Sequence, residues 1–442
     1  MNNYTKNLQR KIFKDDLFRH TAIMMVGTKL GDIFNLVYRL AMVRLLTIEE
    51  YGTLNSLISS SLILSQFVAP FQPVLTKYFA SFSAKGEWSK LRFLYGRTWR
   101  DLGLFSVIVF IIIISFSGLI SGYLNIDGTF PVILVGVMIG FTILLAVPMA
   151  FIQGTQSFVS LASLAALSAF CKMMIGIGLI LLAGLTVDGA LGGMIASPLS
   201  AILIGIFLMK KYLKRCPGKG ESESISMLPI YKFFIPTALT LGSLWALTNV
   251  DVILVKHFFT GQEPGYYSVA QMVGLIVLYL PGAITIVIYP KAAAAHAKNS
   301  ESRAMLWKGL VAIAGICLLG IVICAIAPGL VLTAISGKDN PQSRELVVWF
   351  TMAMSFYSMS TLIIYYHLAV HNTRIVPVLI TLALAEVATI YSFHASLMVI
   401  IFIMLGYSVI TFVLSLMMLR FIPDTNQNII SKNVPAKGEG IG

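Results

Sequence analysis

Twelve apolar stretches, each about as long as a membrane-crossing helix, constrain this chain more than any motif it carries. A hydrocarbon core of about 30 Å takes about 20 helical residues to cross. Stretches of that size run over 21–43, 53–75, 102–121, 130–152, 160–183, 189–209, 233–255, 266–289, 309–332, 346–368, 376–393 and 396–419. They are uniformly apolar rather than alternating, which excludes the strands of a membrane barrel. Of the 442 residues, 57% are hydrophobic and 12% charged, against about 25% charged in a soluble domain. So little polar side chain cannot coat soluble domains. Disordered, collagenous and disulfide-stapled classes are excluded on the same grounds. The expected fold class is all-α integral membrane, with twelve transmembrane helices.

The first stretch is too long and too charged for a cleaved signal, and runs into Arg44-Leu45-Leu46-Thr47 without a small-residue cleavage site. Cys171, Cys317 and Cys324 lie in apolar runs and Cys216 in a Lys-rich one. Without a C-x-x-C pair or a Cys/His cluster, no metal site or disulfide framework is expected. His257, His296 and His371 fall in loops and His367 at a span end, and no hydrolase or ATPase motif occurs. No cofactor and no enzymatic activity are expected.

Lys and Arg orient the spans. With the N-terminus inside, 25 of the 32 basic residues fall in cytoplasmic segments and four (Arg44, Lys256, Lys338, Arg344) outside. Three, Lys29, Arg39 and Lys172, lie within spans. That asymmetry puts both termini in the cytoplasm and makes the number of spans even. The net charge of +13 then faces anionic headgroups of a plasma membrane, not nucleic acid.

A polar, Gly/Ser-bearing segment at 210–232 divides the chain into halves of six spans, 1–209 and 233–442. The halves echo one another: Leu46-Thr47-Ile48-Glu49-Glu50-Tyr51-Gly52 and Phe259-Thr260-Gly261-Gln262-Glu263-Pro264-Gly265 are offset by 213 residues, with Thr, Glu and Gly in register. Parallel six-span repeats are a transporter plan with the site between the halves. Residues 85–101 place Trp88, Leu91, Tyr95 and Trp99 at helical spacing among basic residues. That pattern reads as an amphipathic helix on the inner leaflet, joining spans 2 and 3.

Ionisable residues within spans carry the most information. One costs on the order of 2.5–3.5 kcal/mol at mid-bilayer and normally faces a cavity or a partner. Span 1 presents Lys29, Asp32, Asn35 and Arg39 along one face. This is either a cavity lining or a Lys29–Asp32 pair with Arg39 reaching the outer surface. Lys172 sits near the centre of span 5, too deep to snorkel, and needs an anion: a carboxylate from another span or a ligand. Asp251 lies close to the outer end of span 7, where a solvated helix-end role competes with a functional one. Glu386, central in span 11, can pair with Lys172 or Arg39 or carry a proton. Pro70, Pro73, Pro148, Pro198, Pro236 and Pro281 kink their spans, which in lipid requires protein or a wet cavity alongside. Gly192, Gly193 and Ala196 read as close helix packing.

Two stretches resemble bacterial polysaccharide flippases, O-antigen flippases among them. Arg44-Leu45-Leu46-Thr47-Ile48-Glu49-Glu50-Tyr51-Gly52 is similar to their "R-L-L-t-x-e-e-Y-G" at the start of span 2. Asn249-Val250-Asp251 with Gly265-Tyr266-Tyr267-Ser268-Val269-Ala270 resembles their "N-x-D…G-x-Y-s-v-a", followed by Leu280-Pro281-Gly282-Ala283 and Tyr289-Pro290. The resemblance implies the multidrug/oligosaccharidyl-lipid/polysaccharide (MOP) superfamily. It implies two six-helix lobes forming a V around a central cavity that opens to each side in turn. The implied substrate is an undecaprenyl-diphosphate-linked oligosaccharide moved from the inner to the outer leaflet, with membrane lipids and polysaccharide polymerase machinery as partners. Lys29, Asn35, Arg39 and Lys172 match in character the cationic cavity such a cargo needs. Asp32, Asp251 and Glu386 leave room for an ion pair or for proton or sodium coupling.

The physics suits that task. A diphosphate cannot shed its water into hydrocarbon, whereas a wet cationic groove replaces the hydration while the polyprenyl tail stays in lipid. A drug–cation antiporter of the same superfamily would want an acidic, aromatic cavity, and three buried cations argue against it. A major-facilitator carrier would show a short basic motif between spans 2 and 3. A polysaccharide polymerase would need a larger outside segment than residues 333–345.

Overall fold

The computed structural model describes residues 16–213, 228–282, 284–285, 288, 303–337, 339–370 and 372–421. The heart of the 210–232 segment, Cys216, His296, His371 and both termini lie outside the described residues. The described residues form fifteen α-helices, a final 3-10 turn and no strand. In order these are α1 (Asp16–Leu45), α2 (Ile48–Gln66), α3 (Phe71–Ala84), α4 (Trp88–Ser115), α5 (Ser117–Tyr123), α6 (Phe130–Gly154), α7 (Phe158–Ala183) and α8 (Val187–Leu213). There follow α9 (Leu228–Phe258), α10 (Glu263–Tyr279), α11 (Arg303–Ile326), α12 (Pro328–Ser336), α13 (Pro341–Ala369), α14 (Ile375–Ser392) and α15 (Leu397–Met418). Among the described residues nine helices are long and apolar enough to cross a membrane, or ten if the bent pair α2/α3 is one broken span. The polar α1 and the 17-residue α10 are not among them.

Local chemistry sets the boundaries. Thr47 caps α2 in a reciprocal box: its hydroxyl accepts from the Glu50 amide at 3.2 Å, and the Thr47 amide donates to Glu50 Oε2 at 2.8 Å. Glu49 and Glu50 also sit at the positive end of the helix dipole. Much of the motif around Arg44–Gly52 is thus a helix start. The turn that carries Pro70 bends α3 by 42° from α2. Ala327-Pro328 separates α12 from α11, and Pro281 follows α10. Pro148, Pro198 and Pro236 remain inside α6, α8 and α9. Ser396 caps α15 by accepting from the Val399 amide at 3.3 Å, which makes the two closely spaced last runs separate helices.

The basic segment before span 3 differs from expectation. Residues from Trp88 continue without a break into the apolar run, giving one helix of 28 residues, about 42 Å long at 1.5 Å per residue. Leu91 and Leu94 are fully buried, and Tyr95 meets Phe151 of α6 edge-on at 5.5 Å. The apolar stripe read as a membrane-surface anchor is therefore a helix-packing face.

The chain separates into two compact units. Unit 1 holds residues up to Ala238 together with Lys256–Gly265; unit 2 holds Leu239–Val255 and everything from Tyr266 onward. In unit 1, α7 packs on α1 and α8, and α6 on α3, α4 and α8. In unit 2, α13 packs on α11 and α15, with Leu306, Ile313, Ile363 and Tyr366 in the core between them.

Lipid gives helices no hydrophobic drive to associate, so close contact through small residues carries the packing. Gly193 of α8 lies so near α7 that an added Cβ would stand 2.5 Å from Gly176 Cα and 2.8 Å from the Lys172 carbonyl oxygen. The two echoed glycines also meet, within unit 1: a Cβ on Gly52 would stand 2.7 Å from the Gly265 amide, and one on Gly265 would strike the Ile48 carbonyl. Gly193→Ala is expected to cost about 1–3 kcal/mol through overpacking and to lower the detergent unfolding temperature. Gly178→Ala, on the same α7 helix with open space around it, is expected to be neutral or slightly stabilising in the same thermal assay.

Candidate functional site

Lys172 projects from α7 toward α1. Its ammonium donates to Asn35 Oδ1 at 3.2 Å and stands 4.5 Å from the centroid of the Tyr38 ring. Both partners are fixed by their own bonds. Asn35 donates back to the Gly31 carbonyl at 3.0 Å, and the Tyr38 hydroxyl donates to the Ala190 carbonyl of α8 at 2.7 Å. Tyr38 is buried and Lys172 half-buried. Arg39, half-buried on the next residue of α1, acts electrostatically on Lys172. Among the described residues, no carboxylate of unit 1 lies within ion-pair distance of Lys172 or Arg39. An amide oxygen and an aromatic face thus orient the lysine, and neither carries a counter-charge.

Lys29 and Asp32 are arranged differently. They form an ion pair at 3.0 Å one turn apart, with both side chains exposed on the surface of α1. Asn35, Arg39 and Lys172 are thus the unneutralised polar group, and Lys29 has its counter-charge beside it. Sequence reasoning missed Tyr38, which completes the lysine's seat. Its signal was an aromatic residue one turn after Asn35 on the same helix.

In unit 2 the acidic residues form a second cluster. Asp251 is not a solvated helix end: it is fully buried and accepts from the Tyr267 hydroxyl at 2.8 Å. The "N-x-D" and "G-x-Y" stretches are therefore joined by a hydrogen bond across α9 and α10. Asn249, by contrast, serves its own helix, donating to the Trp245 carbonyl at 3.1 Å and to the Thr248 hydroxyl at 2.9 Å. Glu386 of α14 is fully buried and takes a long bond of 3.4 Å from the Tyr357 hydroxyl of α13. Among the described residues, Asp251 Oδ1 and Glu386 Oε2 are left without a partner. A buried carboxyl with an open oxygen is costly, and a bound cation or an added proton would relieve it. No group of three or more metal-ligating side chains occurs among the described residues.

A cavity of about 350 Å³ lies in unit 2 between α9, α10 and α13, with Trp245, Tyr279 and Tyr365 on its wall. The sequence reading passed over it, because its polar residues are hydroxyls scattered at one- and two-turn spacing in otherwise apolar runs.

Over residues 41–342 the sequence matches the model of a family described as polysaccharide biosynthesis protein. The chain belongs to that family. No curated protein sequence matches it. The fold of this polysaccharide biosynthesis family member is similar to that of an inward-facing multidrug resistance MATE transporter of the MOP superfamily. The TM-score there is 0.70 at 10% identity, covering 94% of this chain and 99% of the other. It is similar also to the lipid II flippase MurJ in an inward closed conformation, with TM-score 0.65, 15% identity and coverage of 95% and 94%. A third likeness is to a MOP superfamily transporter from Pyrococcus furiosus, described by a reverse polarity of its binding pocket; TM-score 0.60, 12% identity, coverage of 91% and 95%. What these three structures share with the chain is the fold.

The Asp251–Tyr267 bond is testable by a double-mutant cycle. Tyr267→Phe, which removes the hydroxyl donor from the buried carboxyl, is expected to cost about 1–3 kcal/mol of stability. Once Asp251 has become Asn or Leu, the same tyrosine change is expected to cost much less, and thermal unfolding of the four proteins measures the difference.

Proposed function

We propose that this protein is a flippase that carries undecaprenyl-diphosphate-linked oligosaccharide from the inner to the outer leaflet of the bacterial plasma membrane. The observation that carries the reading is Lys172, seated on Asn35 and Tyr38 with no carboxylate of its unit beside it among the described residues. A cation oriented but not neutralised suits a diphosphate, which must exchange its water for fixed donors on the way across. Arg39 and Lys29 extend the positive face, with Asp32 moderating Lys29. The membership in a polysaccharide biosynthesis family supports a saccharide cargo, and the likeness to MurJ supports a lipid-linked one.

In this proposal the chain spans the membrane twelve times in halves 1–209 and 233–442, joined by a cytoplasmic segment at 210–232, with both termini inside. The two six-helix halves form a V whose cavity faces each leaflet in turn, so no covalent chemistry is required. Asp251 and Glu386 serve the driving ion, a proton or sodium, and not the cargo. The released lipid-linked unit then becomes available to a polysaccharide polymerase on the outer face.

A second reading, a cation-coupled drug antiporter, draws on the same two buried carboxyls and on the MATE likeness. Deleting the protein separates the two. The flippase reading expects lipid-linked repeat units to accumulate in the inner leaflet and polymer to be lost. Intact polymer with heightened drug sensitivity would favour the antiporter. Lys172→Ala and Arg39→Ala are each expected to lower transport by about tenfold or more, the loss of a charge-assisted hydrogen bond, with membrane insertion unchanged. Lys172→Arg is expected to keep much of the activity. Wild-type transport by both alanine variants would remove the cationic seat from the mechanism. Asp251→Asn and Glu386→Gln are expected to bind the diphosphate lipid normally but to abolish stimulation of transport by an imposed proton or sodium gradient.

A further inference from the structure

We propose that the cavity between α9, α10 and α13 of unit 2 is a subsite for an uncharged sugar ring of the cargo. The inference deepens the flippase reading and rests on it. Trp245 and Tyr279 present aromatic faces whose centroids lie 6.2 Å apart, tilted by 34°. Tyr365 adds a third ring, and no charged side chain is among the described residues that line the space. A pyranose has an apolar C–H face and a hydroxyl rim, so it asks for an aromatic plate on one side and hydrogen-bond acceptors at the edge. The plate is an amphipathic ring that needs no charge.

The acceptors are supplied by local bonding. Thr248 donates its hydroxyl proton to the Leu244 and Trp245 carbonyls at 3.2 Å, Ser358 to the Leu278 carbonyl at 3.2 Å, and Thr361 to the Tyr357 carbonyl at 2.8 Å. With their protons committed to backbone, these hydroxyls are left as acceptors, Thr248 with one lone pair beyond the bond it takes from Asn249 at 2.9 Å, which suits the O–H donors of a sugar. Ser358, Thr361 and Tyr365 fall at three- and four-residue steps and so share one face of α13. Trp245 and Thr248 do the same on α9.

Other occupants fit less well. A diphosphate would find no cation among the described lining residues, and an isoprenoid tail would make no use of the acceptor lone pairs that the backbone-bonded hydroxyls keep. A lipophilic organic cation could use the aromatic faces but would meet no carboxylate among the described lining residues. The volume of about 350 Å³ falls at the small end of the usual range for ligand sites, roughly 300–1,000 Å³, which suits a short saccharide rather than a whole repeat unit.

The test uses the full chain in lipid nanodiscs as wild type, Trp245→Ala and Trp245→Phe, each checked for monodispersity. Binding is measured by native mass spectrometry for three probes: undecaprenyl diphosphate, undecaprenyl-diphosphate-N-acetylglucosamine and tetraphenylphosphonium. Adding the sugar is expected to tighten wild-type binding by about tenfold, as for a site built to bond hydroxyl groups. Trp245→Ala is expected to erase that gain while leaving the bare diphosphate lipid unaffected, and Trp245→Phe to retain most of it. No gain in the wild type overturns the proposal. An equal loss for both lipids on Trp245→Ala means the cavity holds the tail, and tetraphenylphosphonium competing at this site means it holds a cation; both also overturn it. If neither diphosphate lipid binds, the flippase reading fails on its own account. Free N,N′-diacetylchitobiose then decides for the cavity: a change in emission present in the wild type and missing in Trp245→Phe keeps the subsite, and no such change ends it.

Discussion

A charge inside a bilayer must be answered by something other than water, and the two units answer in different ways. Unit 1 keeps a lysine and surrounds it with neutral groups, the Asn35 carbonyl oxygen and the Tyr38 ring. Unit 2 keeps two carboxyls and gives each a tyrosine hydroxyl, with one oxygen of each lacking a partner among the described residues. Had Lys172 been matched with a carboxylate of its own unit, it would be a structural ion pair with nothing to offer a ligand. In the proposed flippase, leaving that partner out is what would let the lysine bind an anionic cargo, at a cost in stability that a purely structural site would avoid.

That cost is met by packing. Tyr38 can hold the lysine only because its ring is wedged against α7 and its hydroxyl anchored to α8. The α7–α8 crossing is in turn tight because glycines lie face to face at 176 and 193. The position of the cation therefore depends on two residues that have no side chain. At Gly52 and Gly265 the same device recurs. There the echoed stretches come together, and the α9–α10 connection sits within unit 1.

Much of this was legible in the sequence. Long uniform apolar runs made the helices visible, because a segment in lipid must satisfy its backbone internally. The T-x-x-E spacing contained the α2 cap, and Gly192-Gly193-Ala196 contained the close crossing. Less legible were features that depend on which neighbour an amphipathic face meets. Trp88, Leu91, Tyr95 and Trp99 have the period of a surface anchor, yet the stripe packs on other helices and runs straight on into the span. The place of Asp251 near the outer end of span 7 left a solvated helix end and a functional role both open, and only the arrival of Tyr267 from α10 shows it buried. The cavity was invisible because serine and threonine inside helices usually bond their own backbone, and spacing alone does not tell which of them border a hollow.

The sequence by itself determined the solvent of this protein and the segments that adopt helix, since both follow from local composition and from the backbone's need for internal hydrogen bonds. It also determined which ionisable residues lie in apolar runs. Only the tertiary structure decided how those residues are answered: Lys29 by Asp32, Lys172 by Asn35 and Tyr38, Asp251 by Tyr267 and Glu386 by Tyr357. The physical reason is range. Helix formation is settled within a few residues, whereas the partner of a buried charge arrives from 16 to 137 positions away in three of these four cases, brought there by helix packing that no local pattern encodes.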